Sequence, residues 1–282
     1  MSEDSNLLLT HTRSLMRRFG LRARKGLGQH FLIDSTALDA SILAAELFPD
    51  DVVVEVGPGL GILTEELASL VRRVIAIEVD SQMADLLSKR FAANPRVSIL
   101  NEDILNFNIE KEVAGSAYKV VANLPYYVAA PTIRRFLEAD TKPDCMVVMV
   151  QKEVAENIVA QEGKMGLMSI GVQLYGKPSI VKYVSAASFC PAPKVDSAIV
   201  KIEVYKQPAV TVEIESFFKV VKAGFSAPRK QLRNSLAKGL FVEPDVAATL
   251  LDSAGISFQR RAETLSLQEW AELCEVVQKG LQ

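Results

Sequence analysis

The chain has little of what metal and disulfide chemistry require. Among its 282 residues are 3 cysteines and 2 histidines. Cys145, Cys190 and Cys274 lie far apart, and neither His11 nor His30 stands at zinc-ligand spacing from any of them. No metal site is therefore expected, nor a nucleophilic cysteine paired with a histidine. The odd cysteine count suits a reducing compartment better than a disulfide framework. Long apolar runs are missing as well. The opening segment "MSEDSNLLLTHTRSLMRR" carries acids where a secretory signal would be basic, and its apolar run stops after three leucines. Neither export nor a membrane span is expected. The cytoplasm is the expected location, with an Arg-rich transit peptide over residues 11–25 as the alternative. No internal repeat or low-complexity segment is present.

With 49% hydrophobic residues, the chain has enough apolar material for one large domain and an appendage. Its net charge of -2 argues against a polyanionic partner, but the charge is unevenly placed. From His11 to Gln29 the basic residues Arg13, Arg17, Arg18, Arg22, Arg24 and Lys25 meet no acid. From Phe218 to Phe241, Lys219, Lys222, Arg229, Lys230, Arg233 and Lys238 form a second such block. Phosphate neutralisation depends on where charge sits rather than on the total, so the blocks read either as footprints for a nucleic acid or as solvated helix faces.

The middle of the chain alternates strand and helix signals. The β-branched run "DVVVEVG" precedes the helically spaced "GILTEELASLV", and the alternation repeats through "RVIAIEVD", "VSIL", "YKVVANL" and "CMVVMV". Short apolar strands separated by helices imply a mostly parallel sheet covered on both faces. "SIVKYV" and "VDSAIVKIEVY" then alternate as a half-exposed antiparallel pair would. Beyond Pro208 the pattern is helical, and Ser266 with Glu269 forms a capping box for the last helix. A domain boundary is expected there, giving residues 1–207 and a helical, RNA-binding domain over 208–282.

In an open parallel sheet, ligands bind at the carboxyl ends of the strands. The unusual residues fall at those ends. Gly57, Gly59 and Gly61 form a G-x-G-x-G turn, which lets backbone approach a ligand but matches neither the G-x-G-x-x-G of dinucleotide folds nor a Walker loop. Glu78 ends the next strand, where an acid accepts from ribose hydroxyls, and Asp103 follows the one after, placed to accept from a purine amine. A close-approach loop with two carboxylates and no phosphate cradle suits a cationic nucleoside such as S-adenosylmethionine. The fourth strand ends in Asn123-Leu124-Pro125-Tyr126. Pro125 holds Leu124 extended. The Asn123 amide oxygen and the Leu124 carbonyl are then two fixed acceptors for an aromatic amine, and Tyr126 is a surface on which its ring can stack. That constellation fits methyl transfer to an adenine amine.

The segments "KGLGQHFLID", "VVVEVGPGLGILTEEL", "VIAIEVD", "NEDIL", "VANLPYYVAAP" and "FCPAPKVDSAIV" resemble, in order and spacing over about residues 20–240, the motifs of the ribosomal RNA adenine dimethyltransferases. The resemblance implies an α/β fold: a class I, Rossmann-like methyltransferase domain with a basic N-terminal arm and a small all-helical C-terminal domain. It implies S-adenosylmethionine-dependent N6,N6-dimethylation of two adjacent adenosines in a hairpin near the 3′ end of small-subunit RNA. The enzyme would act as a monomer on a pre-ribosomal particle, without membrane or metal. Carried over by residue, His30 and Leu32 would meet the methionine part of the cofactor, Gly57 and Gly59 would give the close-approach loop, Glu78 would take the ribose and Asp103 the adenine amine. Asn123 would lie where cofactor and target meet, with Tyr126 and Phe189 sandwiching a flipped adenine. Phe189 could equally be a core aromatic. Arg17, Arg18, Arg22, Arg24, Lys25, Lys222, Arg229, Lys230 and Arg233 would bind RNA.

Many members have Asn where this chain has His30, and hydroxyl residues where it has Ala129 and Ala130. The competing readings are a large-subunit RNA methyltransferase of the macrolide-resistance type, a DNA adenine methyltransferase, an assembly checkpoint with secondary catalysis, and an inactive RNA-binding relative. "NLPY" leans away from the first, and the second would more typically carry D/N-P-P-Y.

Overall fold

A computed structural model describes residues 3–18 and 29–281. Its elements in chain order are α1 (Glu3–Arg18), β1 (Phe31–Leu32), α2 (Ser35–Ala44), β2 (Val52–Val56), α3 (Ile62–Leu70), β3 (Arg73–Ile77), α4 (Ser81–Arg90) and β4 (Val97–Leu100). There follow α5 (Ile109–Val113), β5 (Lys119–Asn123), α6 (Ala129–Leu137), β6 (Cys145–Gln151), α7 (Lys152–Ile158), α8 (Leu167–Gln173), β7 (Gly176–Val184), β8 (Phe189–Cys190) and β9 (Ser197–Val204). The C-terminal helices are α9 (Ile214–Gly224), α10 (Leu232–Leu240), α11 (Pro244–Ser253) and α12 (Leu267–Gly280).

Two compact units result: Met1–Ala155 with Lys177–Val204, and Glu156–Gly176 with Tyr205–Gln282. The first holds a seven-stranded sheet of order β4-β3-β2-β5-β6-β9-β7. From β4 to β6 all neighbours are parallel, and β9 runs antiparallel to β6. This is the α/β, Rossmann-like architecture that the strand and helix signals imply. The parallel strands are apolar because both faces are covered; every residue of β2 is buried. Strand order reverses between β2 and β5, so their carboxyl ends diverge into a crevice.

One expectation holds only in part. The strands over 179–184 and 195–205 are neighbours in the sheet, but only the first is half-exposed. β9 lies inside the sheet between β6 and β7, and its first four residues are all buried. Only β7, at the edge, alternates. A strand with neighbours on both sides and cover on both faces loses the period-2 polarity that marks a half-buried one.

In the second unit, α9 packs on α10 and α12 without room for a side chain at two glycines. A Cβ on Gly239 would lie 2.3 Å from the Ala223 Cα, and one on Gly224 would lie 2.3 Å from the Trp270 ring. The capping box at α12 is formed in both directions: the Ser266 hydroxyl accepts from the Glu269 N–H at 3.2 Å, and the Ser266 N–H donates to the Glu269 carboxylate at 2.8 Å. Among the described residues no helix is long and apolar enough to cross a membrane, and no three His, Cys, Asp or Glu side chains gather as metal ligands.

The contact at Gly239 is backbone against backbone, which a rotamer change cannot relieve. Gly239→Ala should lower unfolding stability by about 2 kcal/mol or more. Gly171→Ala, whose Cβ would meet only Phe218 at 3.9 Å, should be neutral or slightly stabilising. Urea denaturation of both variants checks the difference.

Candidate active site

The crevice at the carboxyl ends of the parallel strands is a pocket lined by, among others, His30, Gly57, Glu78, Asn123, Tyr126 and Phe189. All of them belong to the first unit. Four chain segments meet there, each held by its own local chemistry.

The turn after β2 is fixed by backbone conformation. Gly57, Gly59 and Gly61 all have positive φ, at 67°, 56° and 78°, so L side chains would be strained at each. Space is short as well. A Cβ on Gly57 would lie 3.2 Å from the Pro125 ring and one on Gly59 3.3 Å from Phe31. Arg90 clamps the turn from α4 by donating to the Leu60 carbonyl and pairing with Glu65.

The acids lie beneath this turn. Glu78, 6% exposed, accepts from the Asp80 N–H at 3.0 Å. Burial pushes its carboxyl upward, against the lowering effect of the N–H groups of Asp80, Gly59 and Val79. Glu55 is 1% exposed and accepts from the Thr64 hydroxyl at 2.6 Å. Burial is the main reason its carboxyl is pushed up to about 8; the nearby Glu78 adds to the shift and the Thr64 hydrogen bond opposes it. Glu55 lines the pocket, yet the sequence reading gave it no role. An acid inside the β-branched run Val52–Val56 was the signal available.

Asp103 does not line the pocket. Its carboxylate accepts from the Leu105 N–H at 3.0 Å and the Asn106 amide at 3.4 Å, closing its own turn. It remains near the rim, because it and Glu78 both act on the exposed Tyr127 phenol, which is raised first by burial and then by those two charges. Tyr127 lines the pocket and was not foreseen as a site residue.

The corner after β5 presents acceptors. The Asn123 Nδ2 is turned toward the His30 carbonyl at 3.5 Å, which leaves Oδ1 for the pocket. Leu124 continues the ladder by donating to the Met149 carbonyl at 3.1 Å, and its own carbonyl receives no hydrogen bond among the described residues. Tyr126 is half-buried, with its hydroxyl 2.8 Å from that of Ser197. Ala129 and Ala130 open α6 directly after this corner, and no side chain caps that helix.

The fourth segment is the pairing of β1 with β8, where Phe31 lies opposite Cys190 and Leu32 opposite Phe189. Ile33 donates to the Ser188 carbonyl at 2.9 Å and the Ser188 hydroxyl to Asp34 at 2.8 Å. Phe189 forms part of the pocket wall but is otherwise packed in the core, with 3% exposure. His30 donates from Nδ1 to the Pro191 carbonyl at 2.7 Å and stacks on Tyr126 with ring centroids 5.8 Å apart.

The basic residues fall outside this pocket. Arg17 is exposed on α1, whereas the Arg18 side chain and all of Arg22, Arg24 and Lys25 lie outside the described residues. Lys222, Arg229 and Lys230 are exposed. Arg233 is not a free cation: its guanidinium lies 5.7 Å from the centroid of the Phe258 ring.

The chain matches the family "Ribosomal RNA adenine dimethylase" over residues 20–279. It is 50% identical over 287 residues to the ribosomal RNA small subunit methyltransferase A of Dehalococcoides mccartyi, with 98% of each chain covered. To the protein of the same name from Desulfitobacterium hafniense it is 42% identical over 274 residues, covering 96% of this chain and 98% of that one. Among solved structures it is similar to a dimethyladenosine transferase from Plasmodium falciparum (TM-score 0.76, 25% identity, 89% of this chain and 98% of that one). It is also similar to the 23S rRNA methyltransferase ErmE (TM-score 0.69, 26% identity, 88% and 99%).

Glu55 makes the stability of the ligand-free protein depend on pH. Its folded carboxyl binds a proton more tightly than the unfolded one, so folding is favoured below about pH 4.5 and progressively penalised up to about pH 8. Glu55→Gln should match the wild type near pH 4 and be the more stable protein at pH 8. The gap should widen by at most about 1.4 kcal/mol per pH unit. Thermal unfolding across that range reads it; equal slopes for the two proteins would show that Glu55 ionises freely.

Proposed function

The chain belongs to the ribosomal RNA adenine dimethylase family, whose members are S-adenosylmethionine-dependent, and from that premise we propose that it dimethylates N6 of two adjacent adenosines near the 3′ end of small-subunit ribosomal RNA. The observation that carries this reading is the meeting, at one crevice, of a left-handed glycine turn, a buried acid and two unpaired acceptors beside a tyrosine. The substrate is favoured by identity: 50% to a protein named for the small subunit, against 26% to one named for 23S RNA.

The pocket fits the cofactor. Gly57 and Gly59 would bring backbone against it, Glu78 would accept from its ribose, and His30 and Leu32 would border its methionine end. When bound, S-adenosylmethionine supplies a methyl group activated by positive sulfur. Asp103 would bind the adenine amine from the rim once its turn contacts give way. The chain's own part in the transfer is to hold the target amine. Asn123 Oδ1 and the Leu124 carbonyl would accept its two hydrogens and favour a tetrahedral nitrogen, whose lone pair is then available for in-line attack. Pro125 fixes the angle of that corner, and Tyr126 and Phe189 would border the flipped base. No residue would be needed as a strong base, because an aryl ammonium is acidic enough to lose its proton to water.

Arg17, Lys222, Arg229 and Lys230 would contact phosphates. Arg18, Arg22, Arg24 and Lys25 would extend the N-terminal arm, while Arg233 would act chiefly through its packing on Phe258. The helical second unit is thus assigned to RNA binding. The reading extends to a monomer acting in the cytoplasm on an assembling small subunit.

The test is to incubate the protein with methyl-labelled S-adenosylmethionine and unmethylated small subunits, with large-subunit RNA and DNA in parallel, and to identify labelled nucleosides by mass spectrometry. Dimethyladenosine in small-subunit RNA alone is expected; label in large-subunit RNA would overturn the substrate. Asn123→Ala should slow transfer by about 10²-fold or more while cofactor binding stays measurable. Replacing Arg229 and Lys230 with alanine should flatten the salt dependence of RNA binding by roughly 1.5 to 2 in log–log slope. An unchanged slope would return those residues to ordinary solvated surface.

A further inference from the structure

His30 is one of only 2 histidines in the chain, and it lines the pocket. Its Nδ1 faces the Pro191 carbonyl at 2.7 Å. A carbonyl only accepts, so Nδ1 carries a hydrogen and the tautomer is set: Nε2 holds a lone pair in the neutral ring and a second hydrogen in the cation. No hydrogen bond to Nε2 is formed among the described residues. The ring cannot turn away, because it is also stacked on Tyr126 with 27° between the planes. An ionisable group is thereby fixed against the two residues, Asn123 and Tyr126, that border the transfer point.

The surrounding charges do not neutralise it. The titratable groups sharing the pocket are Glu55, Glu78, Tyr126 and Tyr127. Glu55 is committed to Thr64 and keeps its proton up to about pH 8. Glu78 is committed to backbone N–H groups. Asp80, reached by the neighbouring Gln29 at 3.4 Å, caps α4. On the other side, Cys190 and Lys194 flank the loop that carries Pro191. Among the described residues no carboxylate is hydrogen-bonded to the imidazole, so its protonation adds a positive charge to the pocket.

We propose that His30 is a charge gate: as a neutral imidazole it admits the cationic sulfonium cofactor, and as an imidazolium it disfavours that cofactor relative to the demethylated product, S-adenosylhomocysteine, whose sulfur is neutral. The inference rests on the cofactor assigned above. It goes further by giving one side chain control over how the site ranks substrate and product cofactors. Both ligands share the methionine ammonium and the nucleoside, so the sulfur charge is the difference that His30 reads. An asparagine at this position would have the hydrogen bonds without the switch.

Calorimetric titration of the full-length protein with each ligand from pH 5.5 to 8 tests the gate. In the wild type, the ratio of the Kd for S-adenosylmethionine to that for S-adenosylhomocysteine should rise about tenfold as pH falls from 8 to 5.5. In His30→Asn the rise should be clearly smaller, because Glu55, Glu78 and both tyrosines contribute equally in either protein and only the imidazole is lost. Histidine NMR of the wild type gives a readout that needs no variant: His30 should deprotonate more readily with S-adenosylmethionine bound than with S-adenosylhomocysteine. A flat wild-type ratio, or the same slope in both proteins, would overturn the gate and leave the cofactor reading standing. Failure of either ligand to bind at any pH would overturn both.

Discussion

The site depends on a pairing of two residues with two. β1 and β8 are too short to be stable strands by themselves, yet they tie the segment before α2 to the segment before β9 and so close one wall of the crevice. Hydrogen bonds on both sides extend the clasp: Ile33 to Ser188, Ser188 to Asp34, and His30 to Pro191. Each is a modest contribution in isolation. Together they fix Leu32, His30 and Phe189 against the ends of β2 and β5, which the sheet has already placed.

Burial of acid gives the crevice its electrostatic character. Glu55 and Glu78 end adjacent strands under apolar cover, and each resists ionisation for want of solvent. Such carboxyls respond to a cation, since a positive ligand restores the favourable interaction that burial removed. The pocket is therefore suited to positive charge on the β2–β3 side and fitted with an ionisable imidazole on the β1–β8 side. Buried acids on one side and an imidazole on the other thus face the same ligand space from opposite walls.

What could be read in the sequence followed from local rules with sharp chemical signatures. The close-approach turn at Gly57, Gly59 and Gly61, the strand-end acid Glu78 and the proline-fixed corner at Leu124 each depend on a few neighbouring residues, and the parallel sheet follows from repeated apolar strands. What escaped depends on tertiary position. β1 and β8 are shorter than any periodicity. β9 lost its alternation by lying inside the sheet. Glu55 was hidden because a strand reading assigns an inward side chain to the core whatever its polarity. Nothing in Glu156–Gly176 signals that this segment joins the C-terminal helices, since its apolar spacing suits any helical neighbour. Asp103 shows the converse: a strand-end acid matches the pattern of a ligand group, yet in the ligand-free fold it serves its own turn.

The basic blocks raise the same question of local against global properties. A chain with 34 acidic and 32 basic residues has no net attraction for a polyanion. At an ionic strength near 0.15 M, however, exposed charges more than about 8 Å apart are largely screened from one another, so a phosphate responds to its own neighbourhood. Lys222, Arg229 and Lys230 are exposed and supply such a neighbourhood, whereas Arg233, nearby in sequence, packs on Phe258. Counting cations along the chain therefore overestimates the charge open to solvent, because helix packing draws some of them into structural work.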